Sequence, residues 1–277
     1  MAIKPDNVVT LGDGRALGYA EWGDPEGAPI LHFHGTPGSR LEGATPAFDG
    51  IAARLGLRVL GLDRPGVGRS DPKPRRTILD WAADVAEFAD LVGLSRFSVY
   101  GVSGGGPYAA ACAYRIAHRL RAAGIVSGIA PMGVPDARRG LNREDRAMFF
   151  LGRHFPWGLR WLVRRMAERI RGLEDRAGWE AFLRGEEGVY LDLLLASRPW
   201  GFDLARVPMV MNLWFGGPDV IVPAAAGRYL ARSFARSEAR YYPDEGPGSL
   251  LVSRYEEILT GLAATGSREG DTPIVEC

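Results

Sequence analysis

No stretch of this sequence approaches the roughly 20 apolar residues that a membrane-spanning helix needs, and its opening, MAIKPDNVVTLGDG, lacks the apolar core of a secretory signal. Both absences predict a soluble, cytoplasmic protein with no membrane partner. Only two cysteines occur, Cys112 inside an apolar run and Cys277 at the last position, too few for a disulfide framework or a metal cluster. Lys4 and Lys73 are the only lysines, so nearly all positive charge is arginine, a composition like that of GC-rich bacterial coding. The formal net charge is only +1, which gives no reason to expect nucleic acid as a partner. Histidine is scarce too: His32, His34, His118 and His154 are all there are. No phosphate loop, metal-ligand spacing or dinucleotide fingerprint is present, so no cofactor is expected.

What the chain does have is apolar material. Its 277 residues, 46% hydrophobic and 10% aromatic, suffice for one large α/β domain with an insertion. The runs PILHFHG, LRVLGLD, FSVYGVS, AGIVSGIAP and MVMNLWFG read as strands buried on both faces, because β-branched and aromatic residues follow one another without polar breaks. Helical spacing in LDWAADVAEFADLVG and GGPYAAACAYRIAHRLRA alternates with them, the signature of a mostly parallel sheet covered on both sides. GRALGYAEWG reads as an antiparallel lead-in and ARYYPDEG as a last strand at an edge. The expected architecture is an α/β fold with about eight strands.

Residues 133–206 differ. Leu159, Leu162, Val163, Met166 and Ile170 keep helical spacing with arginines on the opposite faces, and no strand pattern interrupts them. An all-helical insertion after the sixth strand lies over the crevice where open α/β sheets bind ligands, so a cap is expected there. Residues 1–132 and 207–265 would form the core, and 266–277 a flexible tail. In the cap, His154, Trp157, Trp161 and Trp200 are candidates to line a pocket, although histidine and tryptophan in such positions are more often packed or solvated than used.

Two loops carry chemistry. GVSGG, Gly101 to Gly105, follows a predicted strand and opens a predicted helix, the context of a nucleophile turn. Glycines flank the serine because the turn is too tight for larger side chains, and the serine oxygen then projects beside the positive end of a helix. Ser103 is therefore the expected nucleophile, with Val102 beside it as a pocket wall. HGTPGSR, His34 to Arg40, follows the strand PILHF and is a sharply turned loop whose backbone amides can face a developing oxyanion. Thr36 and Gly104 would supply that amide pair. His34, at the head of the loop, reads as a residue that holds the loop in place or borders the pocket.

HGTPG, GLDRPGVGRSDP (Gly61 to Pro72), GVSGG and LWFGGPDVIVP together resemble the α/β-hydrolase superfamily in its cap-bearing branch of esterases, lactonases, peptidases and C–C bond hydrolases. The resemblance spans about Leu11 to Leu262. It implies an acid in the loop after a late strand, here Asp219, and makes Asp63, Arg64 and Arg69 supports of loops. It also implies a histidine after the last strand, in a run like GHxSL. Here the run is EGPGSLL, and Pro247 stands where the imidazole is expected.

Removing one member of such a triad lowers turnover by roughly 10⁴ to 10⁶. Asp244 and Glu245 precede the expected position and are poor substitutes for an imidazole. Three readings stay open. One is a small-molecule enzyme with a degenerate triad, performing cyclisation, rearrangement, elimination or decarboxylation on a largely apolar substrate. Another is a conventional serine esterase, lactonase or C–C hydrolase whose histidine is altered at this position or supplied from elsewhere. The last is a non-catalytic ligand sensor. Oligomeric state is not indicated.

Overall fold

In the computed structural model, residues 3–171 and 176–264 are described. The tail expected at 266–277 lies outside them. The strands are β1 (Lys4–Thr10), β2 (Ala16–Gly23), β3 (Ala28–Phe33), β4 (Leu57–Leu62), β5 (Phe97–Val102), β6 (Leu120–Val126), β7 (Met211–Gly216) and β8 (Ser237–Tyr242). They form one eight-stranded sheet in the order β1-β2-β4-β3-β5-β6-β7-β8. β1 pairs antiparallel with β2, and β2 antiparallel with β4; every later pairing is parallel. The expected mostly parallel α/β sheet is thus present, with the antiparallel lead-in at one edge.

Burial follows sheet position. All six residues of β7 are buried, whereas β1 at the edge alternates between exposed and half-buried. The sheet separates two cores. On one side Trp81, Val85 and Phe88 of the helix Asp80–Leu91 pack with Ala109 to Ala113 of the helix Gly106–Arg115. Their small side chains let the second helix lie close to the sheet. On the other side Phe48 and Ala52 of the helix Pro46–Arg54 meet Tyr255, Ile258 and Leu259 of the helix Tyr255–Ala264. Phe48 and Tyr255 stack with ring centroids 3.8 Å apart.

One boundary differs from the sequence reading. Helical spacing predicted that the helix opened by Ser103 would run through RLRA, but it ends at Arg115, and a short turn, Ala117–Arg119, leads straight into β6. Leu120 pairs with Phe97 of β5, and that ladder overrides the local periodicity. His118 is therefore in a turn and not in the helix.

Between β6 and β7 the chain forms the helices Arg143–His154, Pro156–Ile170, Arg176–Glu180 and Glu187–Ala196. Asn142 caps the first, its Oδ1 accepting from the Asp145 amide at 2.8 Å. No helix among the described residues is long and apolar enough to cross a membrane.

Candidate active site

β5 leads directly into the turn that carries Ser103, and the neighbouring backbone explains why the flanking residues are glycines. A Cβ added at Gly101 would stand 2.2 Å from the Gly105 carbonyl oxygen, and one at Gly105 would stand 2.1 Å from the Phe33 carbonyl oxygen. Only a chain without side chains there passes so close. Ser103 itself sits at φ 49°, a left-handed conformation that is unfavourable for a non-glycine residue.

The loop after β3 is braced from behind. His34 is fully buried; its Nδ1 lies 2.8 Å from the Gly35 carbonyl oxygen, and its Nε2 accepts from the Arg64 amide at 3.3 Å. Those partners make Nδ1 the protonated nitrogen. Burial first, and the neighbouring Arg64 charge second, hold its pKa well below the usual 6.5. Arg64 also donates to the carbonyls of His34 and Gly35, the latter at 2.8 Å, and to Thr36 Oγ1 at 2.8 Å. With those carbonyls turned towards Arg64, Thr36 lies against Gly104: a Cβ on Gly104 would meet Thr36 Oγ1 at 2.4 Å and Thr36 N at 3.3 Å.

Arg64 is in turn fixed by the inserted helices. Its Nε donates to Asp192 Oδ2 at 2.7 Å, and Arg76 and the Tyr108 hydroxyl (2.8 Å) donate to Asp192 Oδ1. Burial alone would raise the Asp192 carboxyl, but Arg64 and Arg76 beside it hold it well below the carboxylate range. A second buried link joins Arg40 Nη1 to Glu180 Oε2 at 2.7 Å and to Asp63 Oδ2 at 3.1 Å.

Two hollows open on Ser103. The smaller, ≈ 50 Å³, is bordered by Thr36, Gly104, Ile129, Met148, Phe149 and Leu193. The larger, ≈ 350 Å³, is bordered by Glu42, Val102, Ser127, Asp219, Gly248 and Leu250 together with Ser103, a volume in the range of small-ligand sites. Asp219 is buried in the loop after β7, where its Oδ1 accepts from the amides of Ile221 (2.9 Å) and Val222 (2.7 Å). Burial raises its pKa from 3.8, against the pull of those amides and of the Ser127 hydroxyl.

Ser103, Thr36, Gly104, Val102 and Asp219 are thus brought together, and the loop after β8 reaches the same cavity through Gly248 and Leu250. The ring of Pro247 is exposed. The other candidates for pocket walls lie elsewhere. His34 is behind the loop and occupied by Gly35 and Arg64. His154 is exposed, against the ring of Phe150 at 4.8 Å. Trp157 and Trp161 are 75% and 63% exposed, on the outer face of their helix, because Leu159 and Val163 take the inward positions. Trp200 is buried but borders a different cleft, with Pro131, Phe202 and Tyr229. Periodicity tells which residues share a helix face, not which face meets the cavity.

Glu245 is also turned away from Ser103: Ser249 and Ser253 donate to it at 2.7 and 2.6 Å, and Arg254 at 3.2 Å. Three residues of the site have no signal in the sequence. Glu42 and Ser127 border the larger hollow, and Asp145, whose pKa burial raises, borders the smaller.

A parallel sheet with a strained serine between strand and helix, braced amides beside it and a buried aspartate across the cavity defines a hydrolase-type α/β enzyme. The chain belongs to the alpha/beta hydrolase fold family, whose model matches residues 28–243. It is 35% identical over 278 residues to a probable proline iminopeptidase of Streptomyces coelicolor, covering 93% of this chain and 78% of that one. It is 28% identical over 270 residues to a non-heme chloroperoxidase of Streptomyces lividans, covering 91% and 95%. Among solved structures, an enol-lactonase from Burkholderia xenovorans shares the fold with a TM-score of 0.68 at 19% identity, covering 94% of this chain and 99% of that chain.

Proposed function

We propose that this enzyme hydrolyses a small, largely apolar ester, lactone or related acyl substrate through Ser103. The observation that carries the reading is the strained serine at φ 49° opening onto a cavity of ≈ 350 Å³ with Asp219 in its wall. Ser103 Oγ attacks the carbonyl carbon, and the amides of Thr36 and Gly104 receive the oxyanion. The helices between β6 and β7 act as a cap: Met148, Phe149 and Leu193 supply the apolar side of the site. Asp192 ties that cap to the loop bearing the oxyanion amides through Arg64, so substrate enclosure and loop geometry are coupled. The relatives named as a proline iminopeptidase and a non-heme chloroperoxidase support an enzyme of this family without fixing the acyl group.

An activated phosphonate ester tests this directly. Ser103 is expected to be labelled, as read by peptide mass spectrometry, and hydrolysis of short p-nitrophenyl esters is expected to vanish in Ser103→Ala. Pro247 favours a second reading, a cyclisation, elimination or decarboxylation that needs no activated serine. In that case Ser103 stays unlabelled, and Ser103→Ala keeps turnover of the true substrate.

A further inference from the structure

If Ser103 is the nucleophile, its proton must go somewhere, and residue 247 cannot accept it. We propose that Glu42 is the base. The proposal rests on the hydrolase reading above and deepens it.

Glu42 follows the oxyanion loop, and its side chain folds back over Gly35, placing Oε1 and Oε2 at 3.0 and 3.1 Å from the Gly35 amide. A Cβ added at Gly35 would stand 3.0 Å from Glu42 Oε1 and 3.5 Å from Ser103 Cβ, so carboxylate and serine approach the same point from two sides. Both border the larger hollow. Glu42 Oε1 and Ser103 Cβ are thus at most about 6.5 Å apart, a gap that one bridging water spans for a general base.

The charge environment leaves this carboxylate available. Glu42 is half-buried, whereas the deeply buried carboxylates near the inserted helices are locked to guanidinium groups: Asp192 to Arg64 and Arg76, Asp63 and Glu180 to Arg40. Among the described residues Glu42 has no such partner, and neither hollow at Ser103 is bordered by an arginine or lysine. Behind it stands His32, fully buried between the rings of Trp22 and Tyr100, with Nε2 3.0 Å from Glu42 Oε2. That contact is off the hydrogen-bond axis, and neither ring nitrogen has an aligned partner. A buried imidazole without partners beside a carboxylate is costly to keep.

The proton balance closes. Ser103 Oγ–H passes its proton to Glu42 as the O–C bond forms and the carbonyl electron pair moves onto oxygen at the two amides. Collapse breaks the bond to the leaving oxygen, which takes the proton from Glu42. Water then gives its proton to Glu42 as it bonds to the acyl carbon, and the departing Ser103 oxygen recovers it.

Glu42→Gln separates chemistry from architecture, because the amide oxygen still accepts from Gly35 N–H. The expected result is a fall in kcat for an activated ester of at least about 100-fold, with KM and melting temperature near the parent's and phosphonate labelling of Ser103 slowed in parallel. Glu42→Asp, which keeps a carboxylate, should retain more turnover than Glu42→Gln. Parent-like turnover in Glu42→Gln overturns the proposal, as does equal loss in the Gln and Asp variants. If Asp219→Asn abolishes turnover while Glu42→Gln does not, Asp219 is the base. If Ser103 of the parent is not labelled at all, the hydrolase reading fails first and this inference with it.

Discussion

Pro247→His is expected to turn a slow hydrolase into a faster one. Gly248 and Leu250 border the cavity that holds Ser103 and Asp219, so an imidazole carried by residue 247 needs only to swing inward from its exposed position. The loop has room: a Cβ added at Gly246 or Gly248 meets nothing within 4 Å, and Gly248 already adopts φ 77°. A positioned general base contributes roughly 10²- to 10⁴-fold. A carboxylate at Glu42 already supplies part of that, so the expected gain in kcat/KM is about 10- to 10³-fold, or about 1.4–4 kcal/mol of barrier. Asp219→Asn should remove most of the gain, because the carboxylate sets the imidazole tautomer, while Glu42→Gln should leave most of it. Losing proline frees the unfolded chain and is expected to lower stability by about 0.4–1 kcal/mol. The assay is hydrolysis of a short p-nitrophenyl ester by variants whose melting curves show cooperative unfolding. A folded Pro247→His protein no faster than the parent would refute the placement of residue 247 at the vacant triad position.

Asp192→Asn leaves Arg64 and Arg76 buried without their counter-charge and should destabilise the protein by about 3–5 kcal/mol in urea titrations. The same link should fail on acidification: its pKa is depressed in the folded state, so its contribution is present above the ordinary value of 3.8 and lost as pH falls below it. His34 has a folded pKa held below 6.5, so the unfolded chain alone takes up its proton as pH drops from 7 to 5. Its neutral burial therefore stabilises the fold above pH 6.5 and loses up to about 1.4 kcal/mol per pH unit below it. Asp63, pushed by burial up to about 6, acts in the opposite sense from pH 6 towards 4. The test is therefore the stability gap between parent and His34→Gln, which should narrow as pH falls; a constant gap refutes it. Trp157→Ser and Trp161→Ser should leave ester hydrolysis unchanged and stability within about 0.5 kcal/mol, since both side chains face outward. A large loss of activity in either would place them at the substrate after all.

The sequence by itself determined the sheet and the serine turn. Central strands buried on both faces are written as nearly continuous apolar runs, so MNLWFG and LRVLGL, each with a single polar side chain, announce β7 and β4 without help from the rest of the chain. Gly101 and Gly105 announce the turn because the backbone passes too close for any side chain, a constraint local enough to appear as spacing. Where helix and strand patterns overlapped, at RLRA, local periodicity misled, and the Phe97–Leu120 pairing decided. Only the tertiary structure could decide what surrounds Ser103. Trp157 and Trp161 share a helix face that turned out to be the outer one, and His34 is consumed by Arg64, a partner 30 residues away. Glu42 carries no signal in the sequence. It borders the hollow at Ser103 because its side chain folds back onto the Gly35 amide and lies beside His32, contacts that leave no periodic or compositional trace.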